Sequence, residues 1–73
     1  MDQYALRHYE MKLADIYNNS TWIPDEISLQ DFIALFPVEF KKDKAIRPDK
    51  PKDFDLDRDT YLAVMVAFRQ AFS

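Results

Sequence analysis

Proton transfer near neutral pH falls most readily to histidine, and this chain holds one, His8. A hydrolytic site would need a nucleophile within reach of that imidazole and a carboxylate to orient it. Cysteine is absent. None of Ser20, Ser28 or Ser73 stands at a helical neighbour position of His8, and the serines read as cap or terminus residues. Carboxylates are plentiful but unpatterned. The sequence therefore predicts no catalytic residue, no enzyme activity and no small-molecule substrate.

Asp53, Asp55, Asp57 and Asp59 alternate like the first half of a calcium loop. Such a loop needs glycine at its sixth position and a bidentate carboxylate at its twelfth. Counted from Asp53, those positions hold Arg58 and Val64. Helix capping and the favourable field of a helix N-terminus explain the aspartates without a metal. Glycine is missing from the whole chain, which excludes phosphate loops and dinucleotide fingerprints that depend on close backbone approach. Neither metal nor cofactor is expected.

A third chemistry is phosphate neutralisation. Residues 1–40 carry a charge balance of −5, residues 41–52 of +4 and residues 53–73 of −2, within a net charge of −3. The basic island comprises Lys41, Lys42, Lys44, Arg47, Lys50 and Lys52. It would give salt-dependent affinity for nucleic acid. Asp43 and Asp49 interrupt it, the pI is about 4.9, and no RNA-binding aromatic motif or helix-turn-helix is present. The competing reading is a solvated lysine-rich loop.

Three segments can position these groups. From Asp2 to about Asn18, Leu6, Tyr9, Leu13, Ile16 and Tyr17 share one helical face. Asp2 is the expected N-cap, and Asn18 and Asn19 are expected to supply a left-handed turn at the end. A weaker line on the same helix, Tyr4, His8, Met11 and Asp15, points away from that face. Trp22 and Ile23 are expected to anchor the connection that follows. Residues 28–36 form a short helix with Ser28 as N-cap, Asp31 at N3, Ile27 and Phe32 as a hydrophobic staple, and a stop at Pro37.

The last helix, 57–72, is apolar around most of its girth. Asp57 is its N-cap, with Leu56 and Tyr61 as the staple. Tyr61, Val64, Met65, Phe68 and Phe72 form the arc expected to face the core, with Leu62 and Val66 on its shoulder. Ala63, Ala67 and Ala71 lie on or near the remaining side, where small residues permit close approach of a second helix. Between the second and third helices, Pro48 and Pro51 forbid a continuous helix, and no alternation requires a strand. The 38–55 segment reads as a wrapping loop in which 38–46 can form a short helical turn or a brief extended piece anchored by Phe40 and Ile46, the helical turn being the expected amendment.

The expectation is a compact all-α, three-helix single domain spanning residues 1–73, with a long basic, proline-containing loop. Hydrophobic residues make up 48% of the chain, including eleven aromatics, so it should fold. At this length one core supplies only about 3–5 kcal/mol, and burying more surface on a partner is a natural supplement. The N-terminus lacks a basic region followed by an apolar run, so no secretory signal or membrane span is expected and the chain reads as soluble and cytoplasmic. The functional expectation is a small non-enzymatic interaction or regulatory protein that occupies a surface on another macromolecule, or pairs with itself as a homodimer. Its contact residues would be Tyr4, His8 and Met11 on the first helix and Leu62, Val66 and Arg69 on the last. The alternative is a small DNA-binding regulator using Lys41, Lys42, Lys44 and Arg47.

Overall fold

A computed structural model describes residues 3–19, 27–52 and 55–72. The order of elements is α1 (Gln3–Asn19), α2 (Leu29–Ala34), β1 (Glu39–Lys41), β2 (Lys44–Ile46) and α3 (Arg58–Phe72). The chain is mostly helical, but a two-stranded sheet makes it other than purely all-α.

The apolar face read for α1 is the one it buries: Tyr9 and Leu13 are inaccessible, and Leu6, Ile16 and Tyr17 pack against the core. The end of α1 differs from expectation. Asn18 and Asn19 stay helical, and among the described residues only Lys42 and Asp43 have positive φ. The Asn19 side-chain amide donates to the Asp15 carbonyl at 2.9 Å, a local bond back along the last turn. Asp2, Trp22 and Ile23 lie outside the described residues.

Six residues are too few for a helix to persist alone, so α2 depends on its cap and its packing. Ser28 Oγ accepts from the Asp31 N–H at 3.1 Å, as the capping pattern predicts. Leu35 donates to the Asp31 and Phe32 carbonyls and Phe36 to that of Ile33, tightening the last turn ahead of Pro37. Phe32 and Phe36, both inaccessible, pack edge to face with centroids 5.3 Å apart. Two hydroxyls lock this layer onto α1. Tyr9 Oη donates to the Phe36 carbonyl at 3.0 Å, and Tyr17 Oη to that of Ile27 at 2.6 Å.

α3 starts where its signals place it. Leu56 is buried, and the Tyr61 N–H donates to the Asp57 carbonyl at 3.0 Å. Tyr9 meets Phe68 and Phe72 near the end of α3. Asp15, Ile16 and Asn19 lie beside Asp59, Thr60 and Ala63 near its start. The two long helices are therefore antiparallel. The predicted arc faces the core, with Val64 buried and Tyr61, Met65, Phe68 and Phe72 partly buried against it; burial also extends beyond the arc to Thr60 and Ala67. The small side chains at 60 and 67 let α1 approach closely and draw that edge of α3 inward.

The 38–46 segment is an antiparallel β-hairpin rather than a loop or helical turn. Glu39 pairs with Ile46, Phe40 with Ala45 and Lys41 with Lys44. Lys42 and Asp43, at φ 52° and 66°, form the two-residue loop, and positive φ at both is the mark of a type I′ turn. Asparagine and glycine usually fill such positions; a lysine there carries backbone strain. Phe40 is the anchor foreseen, its ring 5.9 Å from that of Phe72. Ile46 is not an anchor: it is exposed, and Ala45 takes the inward position. An odd register slip would reverse those faces, so pairing Phe40 with Ala45 turns Ile46 outward. Pro48 is buried behind the hairpin.

Candidate functional site

α2 and the hairpin cover the side of the α1–α3 pair that bears Tyr9, Leu13, Tyr17, Phe68 and Phe72. Across the seam, among the described residues, it is residues of α1 and α3 that line the surface. Two adjoining hollows of about 330 and 320 Å³ share Asp15, Ile16 and Ala63. Ile16, Ala63 and Ala67 contribute apolar walls, and Lys12, Asp15, Asn19, Asp59, Thr60, Val66 and Gln70 complete the lining. The groove exists because alanines on α3 hold the helices close while leaving little side chain to fill the outer crevice.

The strips on the two long helices reach this groove through Asp15 and Val66. Tyr4 is 88% and Met11 68% exposed, and His8 is exposed beside them. Leu62 and Val66 are 48% and 50% exposed, with Arg69 on the same stripe of α3. Helical spacing puts Lys12 and Asp15 between the α1 strip and the groove, and Val66 on the opposite rim. The sequence singles out six contact residues on two helices; all six are exposed, and of them Val66 lines the groove. Lys12, Asp59 and Gln70 were not foreseen there. Asp59 was read only as a first-turn acid, although it stands three residues before Leu62 on the same stripe.

The cations of the basic island lie elsewhere. Lys41, Lys42 and Lys44 belong to the hairpin, Arg47 follows it, and Lys50 and Lys52 continue along the chain; all six are exposed. Lys41 and Lys44 oppose each other directly across the strands, an arrangement of like charges that weakens the pairing. A hollow of about 250 Å³ beside β2 is lined by Pro37, Glu39, Ile46, Arg47, Pro48 and Asp49. Its two carboxylates offset its one cation.

One ionisable group is shifted by its place in the core. Burial pushes the Tyr9 hydroxyl well above its ordinary value of 10.0, because a phenolate would lose hydration there. Its proton is committed to the Phe36 carbonyl. Among the described residues no group of three His, Cys, Asp or Glu side chains could hold a metal ion, and no helix is long and apolar enough to cross a membrane. No protein-family model, curated protein or solved structure matches this chain.

Proposed function

We propose that the chain is a small non-enzymatic interaction or regulatory protein that works by occupying a surface on a macromolecular partner. The observation that supports this reading is the exposure of large apolar side chains on the two long helices: Tyr4 and Met11 on α1 and Leu62 and Val66 on α3, with Ile46 of the hairpin the further one among the described residues. Scattered apolar residues are ordinary on a surface, whereas a collected set rimmed by charge marks a contact site. Placing a photo-reactive residue at Met11 or Val66 tests it in cells. A discrete cross-linked adduct is expected from both positions and not from Lys50. Labelling no stronger than at Lys50 would overturn it.

A second reading rests on the hairpin, whose three lysines, with Arg47 behind them, form an exposed cationic ribbon. A two-stranded ribbon can enter a DNA major groove, and the protein would then act as a small DNA-binding regulator. Duplex affinity should fall steeply with salt and vanish when Lys41, Lys42 and Lys44 are replaced by alanine. Absence of duplex binding at low salt removes this reading.

A further inference from the structure

We propose that the partner on the outer stripe of α3 is a second copy of the same chain, docked antiparallel about a two-fold axis. Asp59, Leu62, Val66 and Arg69 are spaced i, i+3, i+7 and i+10, the seam spacing of helices that pack side by side. All four are exposed. The stripe is also symmetric about position 64: the two apolar residues stand two positions to either side of it, and the two opposite charges five positions to either side. A two-fold axis through that point places Leu62 against Val66 of the other copy and Asp59 against its Arg69.

Charge selects the orientation. A parallel pair would set Asp59 against Asp59 and Arg69 against Arg69, a repulsive arrangement. The antiparallel pair forms two Asp–Arg bridges, about 15 Å apart along the helix, bracketing an apolar centre. Every contact is made twice, as a closed two-fold interface requires. The pairing is small, and it belongs at the weak end of specific association. The guanidinium and carboxylate contribute register more than affinity.

This inference deepens the proposed function and rests on it. The test is sedimentation at up to about 1 mM protein, with far-UV circular dichroism to verify folding, using Asp59→Arg, Arg69→Asp and their equimolar mixture. The expected result is a wild-type dimer, self-association weakened by about tenfold or more in each variant, and dimer restored in the mixture, where unlike chains regain both bridges. Both substitutions in one chain should also restore the dimer. A wild type that stays monomeric, variants that associate unchanged, or a mixture without recovery overturns the inference. Cross-linking from Val66 to a foreign chain by a monomeric wild type would leave the proposed function standing while removing the second copy; monomer without any adduct would remove both.

Discussion

Val64 and Val66 stand two residues apart on α3, one fully buried and the other half exposed. The inner side of the helix, Thr60, Val64 and Ala67, holds the fold by fitting against α1 and the aromatic layer. The outer side carries side chains of the same apolar kind, yet none of the other described elements lines the groove beside it. Hydrophobicity alone does not separate the two roles. What separates them is the company each side keeps: uncharged neighbours within, and an acid and a base at the ends of the stripe without.

The strongest way to break that comparison is to put one carboxylate on each side. Val64→Asp buries an unpaired charge in a domain whose whole stability is about 3–5 kcal/mol, and the cooperative unfolding transition should disappear in a circular dichroism melt. Val66→Asp, measured at low protein concentration, should shift stability by no more than about 1 kcal/mol. Equal losses from the two would mean that the outer side also supports the monomer.

Tyr9 sharpens the account of the inner side. Replacing it by Phe should cost about 1 kcal/mol, because the Phe36 carbonyl loses its buried donor. The hydroxyl titrates higher in the folded chain than in the unfolded one, so its contribution is complete below about pH 10 and is lost as pH rises beyond it. Urea titrations across that range should therefore show the gap between wild type and Tyr9→Phe closing at alkaline pH. A constant gap would separate the hydroxyl from the stability of the core.

The smallest expected change lies in the hairpin. Lys42→Asn with Asp43→Gly relieves the left-handed backbone at both loop positions. A gain of about 0.5–1 kcal/mol is expected, seen as a higher urea midpoint with an unchanged slope. A loss would show that strain at Lys42 is not what limits this element.

The three helices were legible because each carries several turns of pattern or a complete cap. Ser28 with Asp31 marked α2, and Leu56, Asp57 and Tyr61 marked the start of α3. The hairpin was not legible for a physical reason: each strand has three residues and a single inward side chain, Phe40 or Ala45, so alternation never completes a second period. Its turn was hidden too, since Lys-Asp stands where Asn-Gly would have announced it. The core-facing arc of α3 was legible, but the burial of Thr60 and Ala67 beside it was not, because a hydrophobic wheel weighs Phe and Met heavily whereas close helix packing rewards small side chains. Asn19 misled because asparagine often ends a helix in a left-handed turn, whereas here it stays helical and its amide bonds back to the Asp15 carbonyl. Among the candidate contact residues, exposure could be anticipated at Tyr4, Met11, Leu62 and Val66, but the groove that Val66 lines depended on the antiparallel packing of α1 and α3.

The division of α3 into a side that folds the chain and a side that joins two copies is tested most directly by melting the protein over a range of concentrations. From about 10 μM to about 1 mM, the wild-type midpoint should rise steadily, as mass action requires when the dimer is the more stable species. Leu62→Lys should melt at one temperature throughout, equal to the wild-type value at the dilute end. A wild-type midpoint that does not move with concentration would contradict the account.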